Sequence, residues 1–188
     1  MRKLAFGSAL VAAAAFPAAA LADVSYSYIG AGYGALKPDG ITRLDGYTVE
    51  GSVAVHDHVH LIGTHVRAKD SPFTARRTRL GGGYNFALNS QFDMVGRLGW
   101  SFTKASITDV FSEKNDGVFG QLGVRGMARG IGTDALEINA FVTYDDTEGK
   151  FSGDVGAVFS FTPALAASAG YSYSSHLQTW NLGLRYNF

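Results

Sequence analysis

The chain has 188 residues, with 16 basic and 16 acidic side chains and no cysteine, and it carries 24 glycines, 13 phenylalanines and nine tyrosines against four prolines. That length suits one domain. The charge balance gives no sign of a nucleic-acid partner, the lack of cysteine excludes disulfides, and the composition favours strands with close backbone approach over helices.

The first 22 residues read differently from the rest. Arg2 and Lys3 are basic, Leu4 to Phe16 is apolar and alanine-rich, and Ala20-Leu21-Ala22 has the small-x-small form of a cleavage site. Residues 1–22 are therefore expected to be a cleavable secretory signal peptide, with residues 23–188 as the mature domain. No later stretch approaches the roughly 20 apolar residues of a spanning helix. No cysteine follows the cleavage site to carry a lipid. Without the leader, 14 basic residues face 16 acidic ones.

The mature region then repeats one pattern, apolar residues at every second position over short segments, which is the period of a strand between two unlike surroundings. Val24 to Ala35 is the first strand, and its facing is open: Tyr26 and Tyr28 share one parity, Ile29, Ala31 and Tyr33 the other. Pro38-Asp39-Gly40 supplies a turn. Gly46 to His56 sets Tyr47, Val49, Val53 and Val55 against Thr48, Glu50, Ser52 and Ala54. A tight connection at Asp57-His58 leads to Val59 to Ala68, whose facing the pattern leaves unsettled, and then to a polar loop from Lys69 to Ala75. Strand four, Arg76 to Ala87, puts Thr78, Leu80, Tyr84 and Phe86 opposite Arg77, Arg79 and Asn85.

Strand five, Phe92 to Lys104, shows Phe92, Met94, Leu98, Trp100 and Phe102 against Asp93, Arg97, Ser101 and Thr103, and a charged loop over 105–117 is expected after it. Strand six has Val118, Leu122 and Val124 opposite Gln121 and Arg125. A turn at Gly130 to Asp134 brings strand seven, with Leu136, Ile138, Val142 and Tyr144 against Glu137, Asn139, Thr143 and Asp145. Strand eight sets Val155, Phe159 and Phe161 against Asp154 and Ser160. Strand nine sets Leu165, Tyr171 and Tyr173 against Ser168 and Ser172.

The last strand is the clearest. Trp180, Leu182, Leu184, Tyr186 and Phe188 alternate with Thr179, Asn181, Gly183, Arg185 and Asn187. The segment resembles the C-terminal sorting signal of outer-membrane β-barrels through Asn181, Gly183, Tyr186 and Phe188. That resemblance implies recognition by the barrel-insertion machinery of a Gram-negative envelope.

These segments predict an all-β fold, a closed antiparallel up-and-down transmembrane β-barrel of ten strands, with eight as the alternative. Strands of about 11 residues are long enough to cross a bilayer when tilted. Long charged connections alternate with tight turns, the asymmetry of outer-membrane barrels. Aromatic residues gather toward both ends of the strands, as expected of two interfacial girdles.

The inward parity collects Glu50, Arg77, Arg79, Asp93, Arg97, Arg125, Glu137, Asp154 and Arg185. In a narrow bore such ions must pair, because an isolated buried ion costs several kcal/mol. The expectation is a lumen filled by ion pairs, and a narrow solute pathway is the alternative. Other candidate chemistry is sparser. His56, His58 and His60 have a spacing that would align three imidazoles for a metal on a continuous strand, but they fall at a turn. His176 with Ser172, Ser174 and Ser175 resembles the serine and histidine of outer-membrane lipid deacylases, without the serine two residues after the histidine. Asp145, Asp146 and His65 have the residue types of a rim protease, without a motif. Arg67, Lys69, Arg76 and Arg77 form a basic group that can clamp lipopolysaccharide phosphates. No cofactor is expected.

Over the mature chain the sequence is similar to the small outer-membrane β-barrel family, and in particular to a short all-barrel group. The likeness rests on Tyr26, Tyr28 and Tyr33, on GYTVEGSVAV (46–55), on LGGGY (Leu80 to Tyr84) and on GVRG (Gly123 to Gly126). It implies an envelope location and release in membrane vesicles, with adhesion or surface-interaction roles. A monomer in the outer membrane, in contact with envelope lipid including lipopolysaccharide and with a structural or surface-interaction role without catalysis, is expected. An outer-membrane hydrolase or a small-solute pore stands as the alternative.

Overall fold

The structure is a computed structural model that describes residues 24–38, 43–107, 110–128, 135–175 and 177–188. The leader over 1–22, Asp39-Gly40 of the first turn, the turn at 130–134 and His176 lie outside the described residues. Ten strands form: β1 (Tyr28–Pro38), β2 (Leu44–His56), β3 (Val59–Asp70), β4 (Phe73–Ala87), β5 (Phe92–Ile107), β6 (Phe111–Met127), β7 (Leu136–Asp145), β8 (Lys150–Ser160), β9 (Leu165–Ser174) and β10 (Leu177–Asn187). Each pairs antiparallel with its sequence neighbours. β1 closes the ring on β10 in a continuous register from Tyr28 opposite Asn187 to Pro38 opposite Leu177. Closure removes both sheet edges, so each strand's backbone groups meet a neighbour's rather than the surroundings.

Two open facings are settled by this register. In β1, Ile29 and Tyr33 point outward while Tyr28 is buried inside. In β3, Val59 and Leu61 are outward and His60 is fully buried. A bulge between Ala54 and His56 interrupts the β2–β3 register just before the turn.

Two stretches expected as loops are strand instead. β5 and β6 remain paired beyond Lys104, from Ala105 opposite Glu113 up to Ile107 opposite Phe111, and β3 and β4 beyond Ala68, from Lys69 opposite Thr74 up to Asp70 opposite Phe73. At the β3–β4 tip the inward Ala68 and Phe73 pack against Leu36 and Leu44, but the stretch is too short and polar for a period to show. At β5–β6 the alternation is missing because both faces of a hairpin standing clear of the bilayer meet water. Apolar periodicity reports a difference between surroundings, and here there is none to report.

The outward face is a continuous apolar belt that includes Leu61, Leu80, Leu98, Leu122, Val142, Val155, Leu182 and Leu184. An exposed apolar surface of that extent needs a non-aqueous cover, and a belt around a closed barrel is matched to bilayer hydrocarbon. Aromatic pairs flank it. Phe159 and Phe161 meet edge-on at 5.5 Å at the end with the tight turns, and Tyr33 packs 5.7 Å from Trp180 at the other. Inside the long-hairpin end, Leu36, Leu44 and Ala68 form a small apolar cluster with Phe73 and Leu177 packed against it.

Leu98 is 73% exposed in the middle of the belt. Leu98→Arg is expected to lower stability by roughly 2–4 kcal/mol in lipid bilayers, read as a reduced urea midpoint in vesicles. At Val110, beyond the end of β5, the same substitution should change it by less than about 0.5 kcal/mol.

Candidate functional site

The bore is narrow, so a side chain rooted on one strand reaches across to another. At the tight-turn end, Glu137 of β7 accepts hydrogen bonds from Arg125 of β6 at 2.6 and 3.0 Å and from Arg185 of β10 at 3.2 and 3.4 Å. All three are buried. Two cations on one carboxylate leave an excess of positive charge, and the chain's own N-terminal segment answers it. The Ser25 carbonyl oxygen accepts from Arg125 Nη2 at 2.9 Å and from Arg185 Nη2 at 2.8 Å. Aromatic faces add to this. The Arg185 guanidinium lies 3.9 Å from the centre of the Tyr28 ring, and that of Arg125 lies 4.8 Å from the Tyr26 ring, a favourable cation–π arrangement.

The segment Val24 to Ser27 is thereby folded across the mouth. Tyr26 donates to Asp93 of β5 at 2.8 Å and packs 4.7 Å from the His60 ring. Burial, and then the hydrogen bond to Asp93, hold the Tyr26 phenol above its ordinary pKa, so it stays a neutral donor. Ser27 accepts from the Phe188 amide at 3.1 Å and its hydroxyl accepts from the Ala54 amide at 3.1 Å. The sequence pattern places Val24 to Ser27 in the first strand, whereas β1 begins at Tyr28, because these four residues take their partners from the bore instead of from a neighbouring strand.

Midway along the bore the partners are neutral. Arg97 donates to Gln121 at 2.9 Å and to His60 at 3.4 Å, and lies over the Phe141 ring. Gln121 donates to Thr143, and Thr143 donates to Asp154 at 2.6 Å. Gly83 makes room for His60, since a Cβ there would stand 2.3 Å from its Nε2. Toward the long hairpins Asp145 is buried and accepts from Arg79 at 2.6 and 2.8 Å, from Ser101 at 2.9 Å and from the Thr147 hydroxyl at 2.6 Å. Arg77 pairs with Glu148 at 2.7 Å.

The expected set of lumen ion pairs therefore needs correction in its membership. Among the described residues Arg77, Arg79, Arg125, Glu137 and Arg185 sit in ion pairs, with Glu148 and Asp145 supplying the other carboxylates. Arg97, Asp93 and Asp154 are met by amide, imidazole and hydroxyl groups, and Glu50 lines the cavity with no ion pair among the described residues. The reason is register, because each row around the ring fixes which side chains share a level, and a cation at one level meets whatever that level offers. Between the two charged ends a cavity of about 240 Å³ remains, bordered by Glu50, Arg97, Gln121, Asp154 and Arg185.

Among the described residues the other candidates are not brought together. His56 and His58 are exposed at the turn while His60 points into the bore, so the three imidazoles diverge. Asp145 is buried in its ion pair, Asp146 is exposed, and His65 lies on the outward side, sharing a 2.8 Å hydrogen bond with Thr78. Ser172, Ser174 and Ser175 lie around the β9–β10 turn, where their expected partner, His176, is outside the described residues. Arg77 faces the lumen, whereas Arg67, Lys69 and Arg76 share the outward parity of β3 and β4. In β10, Asn181 stands between Gly34 and Gly170, and a Cβ at Gly170 would come within 2.4 Å of its amide oxygen. The residue read as part of a sorting signal thus has a packing role in the wall. Gly183 lies opposite Gly32, and Tyr186 stacks against Phe188 at 6.5 Å.

A closed ten-stranded antiparallel ring, apolar outside and hydrogen-bonded within, defines a small transmembrane β-barrel. Solved structures with a similar trace include Ail, the attachment invasion locus protein of Yersinia pestis, with 18% identity over 87% of this chain and 99% of that chain at a TM-score of 0.42. The KdgM porin has 14% identity over 85% and 99% at 0.48, and Neisserial surface protein A has 15% identity over 87% and 98% at 0.45. The sequence matches no family model, and no curated protein matches it.

Because Glu137 serves two buried arginines, Glu137→Ala is expected to cost roughly 3–5 kcal/mol. Asp154→Asn keeps an acceptor for Thr143 and should cost less than about 1.5 kcal/mol. Denaturant titration of the refolded barrel, followed by the gel shift between folded and heated forms, separates the two.

Proposed function

We propose that this is an integral outer-membrane barrel of a Gram-negative envelope, exported through a cleaved leader and acting at the cell surface rather than through its bore. It would serve as a monomer in a structural or surface-interaction role, without catalysis. The observation that carries the reading is the state of the bore. The Arg125–Glu137–Arg185 cluster with Val24 to Ser27 occupies one end, and the Arg79–Asp145 and Arg77–Glu148 pairs stand at the other. A fixed lattice of ion pairs obstructs a hydrated ion, since passage requires breaking contacts between desolvated charges. Among the described residues, no nucleophile, base and orienting group of the hydrolase alternative stand in mutual reach.

Two features support work on the outside. The β5–β6 hairpin is long, and Val110 and Phe111 at its end are exposed. The outward basic residues Arg67, Lys69 and Arg76 favour contact with lipopolysaccharide, and the alternating tail ending at Phe188 favours recognition by the barrel-insertion machinery.

Planar-bilayer recording of the folded protein should give no steady channels, and liposomes carrying it should not swell in small sugars. Tyr26→Ala with Asp93→Ala removes one of the four anchors of the segment before β1 and leaves the ion pairs at both ends in place, so its conductance should stay at the background of the unaltered barrel. Large steady channels from the unaltered barrel would overturn the proposal in favour of a pore. Cells displaying the barrel are expected to adhere to host-cell or abiotic surfaces, and to lose much of that adherence with Val110→Asn and Phe111→Asn.

A further inference from the structure

Four cations stand side by side on the outer wall. The register places Arg67 of β3 opposite Arg76 of β4, Arg76 opposite Lys104 of β5, and Lys104 opposite Lys114 of β6. All four share the outward parity, so they form a single row across four adjacent strands. At about 4.8 Å between strands the row is roughly 14 Å long. None of the four makes an ion pair or a side-chain hydrogen bond among the described residues. Like charges directly opposite one another destabilise a sheet, so a row of four with no internal counter-ion is a cost to the barrel by itself. A partner that brings negative charge to the row turns that cost into binding energy.

The rows beneath define which partner. The next one toward the bilayer holds His65, Thr78, Phe102 and Asp116, and the one after it Gly63, Leu80, Trp100 and Val118. Charge thus gives way to polar and aromatic groups and then to hydrocarbon within two rungs, the order found at a membrane interface. A hollow of about 300 Å³ is bordered by Arg76, Lys104 and Lys114 above and by Phe102, His65 and Asp116 below. Asp116 makes no ion pair with Lys114 among the described residues, which leaves the cations available. Lower on the same face, Gly82, Gly96 and Gly120 open an apolar trough beside Leu98 and Leu122.

We infer that this row binds the phosphates of lipid A, with the acyl chains laid on the wall below it. Arg matches phosphate oxygens in a bidentate way, and lysine adds point charge. The length of the row suits a headgroup that carries two phosphates at opposite ends of a disaccharide, and the apolar surface directly under it suits a lipid rather than a soluble anion. The inference rests on the outer-membrane reading above and names the residues and chemistry of its lipid contact. Lys104 and Lys114 join the site only through the strand register, since in the sequence they lie 28 and 38 residues beyond Arg76.

The test uses the folded barrel in neutral detergent, with native mass spectrometry to count bound lipid and thermal unfolding as a second readout. Bisphosphorylated lipid A should bind and raise the unfolding temperature, while dephosphorylated lipid A and phosphatidylglycerol should bind at least about tenfold more weakly. Arg76→Gln with Lys104→Gln should lose that preference, whereas Arg43→Gln, which removes a cation paired with Asp45, should keep it. Without lipid the double variant should unfold at a higher temperature than the parent, because cross-strand repulsion is relieved. Equal binding of dephosphorylated lipid A, equal binding of phosphatidylglycerol, or a double variant that is less stable without lipid would each overturn the inference. Bilayer conductance is unaffected by these outcomes, so a failed lipid site and a failed closed-bore reading remain separate results.

Discussion

A strand in hydrocarbon has one place to put its amide hydrogens, the carbonyls of the next strand, and ten strands satisfy that demand when the last returns to the first. The β1–β10 ladder, unbroken from Tyr28 to Pro38, is the contact on which the rest depends. Once it closes, every residue is committed to one of two sides. Outward positions must be apolar to meet lipid, and inward positions must find partners among the side chains that share the bore. The belt at Leu80, Leu98 and Leu184 and the ion cluster at Glu137 are two results of one closure.

The bore shows how a narrow barrel handles buried charge. Desolvating an arginine is costly unless its donors are met, and the barrel meets most of them in three ways: carboxylates, one of them shared by two arginines; a backbone carbonyl from outside the strands; and neutral side chains with the faces of Tyr26, Tyr28, Phe119 and Phe141. Arg125 Nη1 is buried without an acceptor among the described residues. Arg97 illustrates the third way most plainly, with an amide, an imidazole and a ring around it and no carboxylate against it among the described residues. At the tight-turn end charge is therefore balanced by the cluster as a whole, while at the long-hairpin end Arg77 and Arg79 are each met by one carboxylate. The N-terminal segment is part of that balance, since it brings an acceptor to two cations that one glutamate alone leaves partly unmet.

The number of strands, their order and most of their facings were legible because lipid and lumen impose opposite demands on alternate residues. The pattern was silent wherever that opposition lapses. Above the bilayer, Ala105 to Ile107 and Phe111 to Gly117 meet water on both faces, so paired strand was read as loop. In β3, the polar residues His60 and Thr64 face the lumen while His65 and Arg67 occupy the outward row near the interface, and no clean alternation results. The site was less legible than the fold. Parity identifies Arg97 as inward, but only register shows that its level offers Gln121 and His60. Parity identifies Arg76 as outward, but only register lines it up with Lys104 and Lys114.

A hoop of strands resists stretching around its circumference, yet it can be squashed toward an ellipse while nearly all of its backbone pairing survives. The short stretch from Val24 to Ser27 changes that mechanics. It is fastened to β2 through Ala54, to β5 through Asp93, to β6 through Arg125 and to β10 through Arg185. Anchored at points around the rim, it works as a cross-strut, and the opening keeps its roundness through four residues that belong to no strand.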